Sequence, residues 1–208
     1  MRKKFNLKSL ILKLSIIFAV IAIDLVSKEL FYNYLSDGKK VDIITNVFSL
    51  QYTQNTGAAY GIFSNSTTML IVVSALFIVI LSIYDFLNSS DEILYNISFA
   101  FILGGAVGNL IDRIFLGYVR DFANFEIFKF IFNLADAFIT IGAVLYVIYI
   151  LISIKKEKDS KKLLTQSTTN NQSSQTKEIE NNENKDIKIT KQKSKNDIQT
   201  QKDKNDNK

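Results

Sequence analysis

The sequence predicts an α-helical integral membrane protein with four transmembrane helices, a small extracytoplasmic β-sheet and a disordered cytoplasmic C-terminal tail. Three observations carry that prediction. Four apolar runs, Leu10–Val26, Thr67–Tyr84, Leu94–Ile111 and Leu134–Ile154, have about the 17–25 residues a helix needs to cross the hydrocarbon core. Between the first two runs, Phe48, Leu50 and Tyr52 alternate with Ser49, Gln51 and Thr53, the period of a half-buried strand. From Lys155 onward the chain has no aromatic residue and only six large aliphatic ones.

The elements follow in order. Met-Arg-Lys-Lys before the first run resembles the start of a secretory signal, but the run ends Ile23-Asp24-Leu25-Val26-Ser27-Lys28 with no small-x-small cleavage site. It therefore reads as an uncleaved first span. A strand around Val41–Thr45, a tight turn at Asn46 and the alternating Phe48–Thr53 segment predict a sheet within about 38–64. The second and third runs carry no charge, and the third is glycine-rich. The Phe-rich stretch of about 112–133 reads as an interfacial loop, and the fourth run opens at Asp136. Arg2, Lys3, Lys4, Lys8 and Lys13 precede the first span, and Lys155, Lys156, Lys158, Lys161 and Lys162 follow the last. By the positive-inside rule both termini are cytoplasmic and the two longer connections lie outside.

Residues 1–154 thus form one membrane domain, with 11 basic and 11 acidic side chains. Residues 155–208 hold 14 lysines against nine acids, so the basic balance belongs to a segment too polar to bury a core. Its lysines lack aromatic interleaving and a folded basic face, which argues against nucleic acid as a partner. They suit a tether to anionic lipid on the cytoplasmic leaflet. The 208 residues include no cysteine and no histidine. That excludes disulfides, thiol catalysis, Cys- or His-ligated metal and a Ser-His-Asp triad, and no cofactor or metal is expected.

Polar residues collect at the outer ends of the spans. An intramembrane carboxylate costs several kcal/mol unless paired or hydrated, which makes Asp121 and Asp136 candidates for chemistry. Asp24 and Lys28 are spaced i,i+4, as in a local ion pair at a helix end. Gly105, Asn109 and Arg113 share one face of the third span, while Gly104 and Gly108 form a small-xxx-small packing pair. Asn109 alone also fits an interhelical hydrogen bond. Asn133, Asp136 and Thr140 share a face of the fourth span. The small residues of Asn55-Thr-Gly-Ala-Ala-Tyr60-Gly61 fit either a plain turn or a backbone passing close to a ligand. Two adjacent carboxylates share a proton, so one activates water while the other polarises a carbonyl, which hydrolyses an amide without histidine or metal. Spacing leaves open whether Asp121 and Asp136 are adjacent.

Taken together, Asp24-Leu-Val-Ser-Lys28, Asn55-Thr-Gly-Ala-Ala-Tyr60, Gly104-Gly-Ala-Val-Gly-Asn109-Leu-Ile-Asp-Arg113, Gly117-Tyr-Val-Arg-Asp121-Phe122 and Phe132-Asn-Leu-Ala-Asp136 resemble the lipoprotein signal peptidase (signal peptidase II) family over roughly residues 8–154. The resemblance implies a membrane aspartic endopeptidase of the bacterial inner membrane. Its substrates are prolipoproteins, cut just before a diacylglyceryl-modified cysteine. It further implies Asp121 and Asp136 as the catalytic dyad, Asn55, Asn109, Arg113 and Asn133 as residues that position the scissile peptide and orient the aspartates, and Asp24 with Lys28 as structural support. The partners are then lipidated prolipoproteins and membrane lipid, and the enzyme works as a monomer. Two positions depart from the family pattern: Leu25 stands where Gln is usual, and Tyr60 where Phe is common.

Two other classes compete. A small transporter or channel subunit would line a path with Asp24, Asn109, Asp121 and Asp136. A membrane scaffold would use the same groups only to fix helix packing. Rhomboid-type proteases need a Ser-His pair and the presenilin class a Gly-x-Gly-Asp motif, and the chain has neither.

Overall fold

A computed structural model describes residues 6–35, 37–57 and 67–163. Helix α1 (Leu7–Leu35), strands β1 (Lys40–Ile44) and β2 (Phe48–Asn55), and helices α2 (Thr67–Asn88) and α3 (Ile93–Leu116) are followed by strands β3 (Val119–Phe125) and β4 (Phe130–Phe132) and helix α4 (Leu134–Leu163). All four helices are long and apolar enough to span a bilayer. One compact unit covers residues 1–151, and a second begins at Ile152.

The helices outrun the apolar runs because polar residues at their ends continue the helical backbone. Asn6 opens α1 by accepting the Lys8 N–H at 3.1 Å on its side-chain oxygen. Gly117 closes α3 at φ +80°, its N–H bonded to the Arg113 carbonyl at 3.1 Å. The expected tail boundary also moves: residues 155–163 continue α4, and residues 164–208 lie outside the described residues.

Helix α3 is the buried axis of the domain, and its glycines explain why. A Cβ on Gly104 would stand 2.8 Å from Val20 of α1, and one on Gly105 only 2.5 Å from the Ala135 carbonyl oxygen of α4. Helix backbones approach that closely only through small residues. By contrast, α2 buries Leu70 alone among its side chains. It exposes Val72, Leu76, Ile80 and Phe86, as a helix facing lipid does.

The four strands form one antiparallel sheet in the order β1-β2-β3-β4. The β1–β2 turn uses Asn46 at φ +60°. The expected interfacial loop of 112–133 is corrected here. It comprises the last turn of α3, β3, one 3-10 turn (Glu126–Phe128) and β4, so half of the sheet lies beyond the predicted 38–64. Its backbone groups find partners in β2 rather than in water. Phe122 and Ala123 of β3 pack with Leu35 at the end of α1, and the Phe122 ring stacks on Phe31 at 4.1 Å.

The β2–β3 register contains a bulge. Leu50 lies opposite Ala123 and Thr53 opposite Asp121, so Gln51 and Tyr52 together face the single residue Phe122. A strict two-residue period would put Leu50 and Asn55 on opposite faces of the sheet. The extra residue moves Asn55 onto the face that carries Asp121.

Candidate active site

Asp121 and Asp136 line one cavity of about 100 Å³, together with Asn55, Asn109, Arg113, Val119, Phe130 and Ile131. Asp121 comes from β3, Asn55 from β2, Asn109 and Arg113 from α3, and Asp136 from the first turn of α4. Phe130 and Ile131 come from β4, so the wall is assembled from three strands and two helices.

Asparagine amides tie the two carboxylates together. Asn133 Nδ2 donates to Asp121 Oδ1 at 2.6 Å, and Asn55 Nδ2 donates to Asp121 Oδ2 at 2.8 Å. Asn109 Nδ2 donates to Asp136 Oδ1 at 2.8 Å. The backbone N–H of Asn133 reaches Asp136 Oδ2 at 3.3 Å, while Asn133 Oδ1 accepts the Asp136 N–H at 3.1 Å. That reciprocal pair is a capping box built from Asn and Asp, and it makes the start of α4 and the placement of Asp136 one structural event. Asn55 is itself held, its Oδ1 accepting the Gly57 N–H at 3.0 Å.

Burial is unequal. Asp121 is only 1% exposed. Burial and the charge of Asp136 push its carboxyl up to about 7, against the Asn55 and Asn133 hydrogen bonds and the Lys28 charge, which favour ionisation. Arg113 faces both aspartates from α3, and its Nε is buried with no hydrogen-bond partner among the described residues. The cavity thus offers a proton holder, a second carboxylate, amide donors and a guanidinium to whatever enters it.

Behind this wall Asp24 and Lys28 do more than pair locally. Lys28 Nζ bonds Asp24 Oδ2 at 2.7 Å and Asn109 Oδ1 at 2.8 Å, and both residues are 0% exposed. Asn109 Oδ1 also accepts from Asn133 Nδ2 at 3.1 Å. With two donors on its oxygen, the Asn109 amide can turn only its NH2 toward Asp136. Asp24 Oδ1 accepts the Ala135 N–H at 2.9 Å, tying α1 to α4. Gly108 makes room for that carboxylate, since a Cβ there would sit 2.5 Å from Asp24 Oδ2.

The eight residues expected from sequence therefore divide into five that line the cavity, the buried Asn133 that bridges its two aspartates, and two, Asp24 and Lys28, beneath it. Thr140 stays outside: its hydroxyl donates to the Asp136 carbonyl oxygen one turn back, at 2.8 Å. Ala58, Ala59 and Tyr60, the rest of the small-residue motif, lie outside the described residues. Two charged residues escaped the sequence reading, the buried Asp112 and its half-buried partner Arg120, joined at 2.8 Å. The available signal was a pair of opposite charges on either side of Gly117. Among the described residues, no cluster of three or more acidic side chains could hold a metal ion.

Comparison with known proteins converges on one family. Residues 16–152 match the model for signal peptidase (SPase) II. The chain is 42% identical over 126 residues to a lipoprotein signal peptidase of Caldanaerobacter subterraneus subsp. tengcongensis, covering 61% of this chain and 86% of that one. It is 38% identical over 144 residues to a lipoprotein signal peptidase of Clostridioides difficile, covering 69% and 97%. A solved structure of a bacterial membrane enzyme superposes with a TM-score of 0.62 at 28% identity, covering 74% of this chain and 94% of that one. A second such structure gives 0.60 at 29% identity, covering 73% and 97%.

Proposed function

The chain belongs to the signal peptidase II family, and from that premise we propose that Asp121 and Asp136 are the dyad with which it removes signal peptides from bacterial prolipoproteins. One observation supports this most: both aspartates open into a single cavity and are bridged by Asn133. In this reading Asp121 holds the shared proton. Its burial and the neighbouring Asp136 charge both favour the neutral form.

The chemistry follows from that asymmetry. With substrate bound, Asp136 takes a proton from water, and the resulting nucleophile attacks the scissile carbonyl carbon. Asp121 gives its proton to the carbonyl oxygen as charge develops there. Collapse of the tetrahedral intermediate breaks the C–N bond as the departing nitrogen takes the proton from Asp136. The product acid returns a proton to Asp121, and the dyad ends as it began. Asn55, Asn109 and Asn133 hold the carboxylates in register without competing for the proton, since amides do not titrate. Arg113 is placed to bind a peptide carbonyl.

The site sits where the sheet meets α3 and α4, at the outer boundary in the orientation set by the flanking lysines. Both termini are then cytoplasmic. A substrate anchored by its own signal helix and acyl chains would present its cleavage site at that depth. Beneath the cavity the bundle is closed by Asp24, Lys28 and Asp112, each at most 1% exposed, which fits a closed reaction site better than a transport path.

The test is cleavage of a purified prolipoprotein by the detergent-solubilised protein, with products read by mass spectrometry. Cleavage immediately before the cysteine, in the diacylglyceryl-modified form and not in the unmodified form, is expected. Cleavage elsewhere, or indifference to the lipid, would contradict the substrate assignment.

A further inference from the structure

Asp112 and Arg120 lie outside the cavity lining, and three hydrogen bonds join them. Asp112 is 1% exposed, in the last turns of α3. Its Oδ2 accepts the Arg120 backbone N–H at 3.0 Å and Nε at 3.3 Å, and its Oδ1 accepts Arg120 Nη2 at 2.8 Å. Lys28 Nζ stands 3.6 Å from Oδ2, and Arg120 Nη1 reaches Glu29 of α1 at 2.8 Å. A helix, the following strand and α1 are thus joined at one carboxylate.

Their place in the chain gives this pair its meaning. Between Asp112 and Arg120 the backbone reverses through Gly117 at φ +80°, a position that imposes little stiffness of its own. Arg120 immediately precedes Asp121. A clamp across the turn, on both the backbone and the side chain of Arg120, fixes where β3 begins and so where Asp121 meets Asp136. Misplacement by about 1 Å can cost about a hundredfold in rate.

We propose that Asp112 and Arg120 are positioning residues that hold Asp121 against Asp136, a role that rests on the dyad assignment above. They touch no reacting atom and act through the strand that carries Asp121. The charges that act on Asp121 are Asp136 from α4 and Lys28 from α1, with Arg113 of α3 facing both aspartates. Arg120 directly precedes Asp121 in the chain, which brings its charge and that of its partner Asp112 next to this set. Neutralising one member therefore leaves a fingerprint on the pH profile that a purely structural prop would not. Without the Asp112 charge, the cations favour ionised Asp121. Without the Arg120 charge, Asp112 disfavours it.

The experiment measures kcat, KM, the alkaline limb of the rate profile and the melting temperature for wild type, Asp112→Asn, Arg120→Gln and Arg120→Lys. Asp112→Asn and Arg120→Gln should lower kcat about tenfold or more with KM within about twofold. The limb should move down by about half a unit in Asp112→Asn and up by about as much in Arg120→Gln. Arg120→Lys keeps the charge and loses the planar fork, so its limb should match wild type while kcat stays reduced. Folded variants with wild-type kcat, or limbs that move the same way, would overturn the proposal. If the two neutral variants fail to fold, Arg120→Lys decides alone, and wild-type kcat there would overturn it. Turnover by the wild type in the same assay tests the peptidase reading separately.

Discussion

Asn133 and Asp136 cap each other across the first turn of α4, each accepting the other's backbone N–H, at 3.1 and 3.3 Å. The amide left over from that exchange, Asn133 Nδ2, is the donor that reaches Asp121 at 2.6 Å. One residue therefore supports helix stability through its oxygen and the dyad through its nitrogen, and the two duties can be separated.

Asn133→Ser should keep the cap, since a serine hydroxyl accepts at that position, but it removes the donor to Asp121. Its melting temperature should stay within a few degrees of wild type while kcat falls about tenfold to a hundredfold. Asn133→Ala should lose both, with about 0.5–2 kcal/mol of stability gone. Thermal unfolding beside turnover checks this, and wild-type activity in Asn133→Ser would show that the amide does not serve Asp121.

The pH dependence follows from Asp121. Its folded-state value of about 7 lies above the ordinary 3.8, so the native state holds a proton that the unfolded chain has released between those values. Its contribution to stability is complete below about 3.8 and is lost as pH rises toward about 7. The rate, which needs that proton, should fall on the alkaline side of about 7. Asp121→Asn should flatten the stability slope over this window, as read by urea unfolding at fixed pH steps.

Gly108 and Gly117 should answer alanine substitution differently. A Cβ at Gly108 meets the Asp24 carboxylate at 2.5 Å, so Gly108→Ala must displace the group that holds Lys28 and the Ala135 N–H. Both stability and turnover should fall. At Gly117 nothing lies within 4 Å and only the positive φ objects. Gly117→Ala should therefore cost about 1 kcal/mol of stability, with a much smaller effect on rate.

Lys13 was read as a flanking charge, and the structure buries it. Its Nζ bonds both Asp85 oxygens, at 2.6 and 2.7 Å, with the Tyr95 ring 5.3 Å away. Lys13→Met should destabilise by about 3–5 kcal/mol because Asp85 is left uncompensated, and Lys13→Met with Asp85→Asn should recover much of that loss. Lys13 lies 11 residues, about 16 Å of helix, from Asp24, so turnover per folded molecule should be unchanged. A double-mutant cycle on unfolding measures the coupling.

The four spans were legible because hydrocarbon demands long apolar runs, and β2 because Phe48, Leu50 and Tyr52, which pack on the Leu35–Phe122–Ala123 core, alternate with polar residues. β3 was not. Six of its seven residues, Val119 to Asn124, are buried or half-buried, so no alternation marks it, and β4 has only three residues. Asp121 and Asp136 stood out by charge, but the meeting of Asn55 with Asp121 depends on the bulge at Gln51–Tyr52, which no residue type announces. Asp112 drew no role from the sequence because Arg120, its partner, appears only after the Gly117 turn. Lys13 shows the opposite error, where a terminal lysine suggested a membrane flank and the fold supplied Asp85.

The most direct test is the single-turnover rate on a diacylglyceryl-modified prolipoprotein for the wild type, Asp121→Asn and Asp136→Asn, each verified as folded by its melting temperature. A shared-proton dyad predicts that the wild type cuts and that both variants lose about a thousandfold or more, since neither carboxylate can do both jobs. Full activity in either folded variant would contradict the dyad.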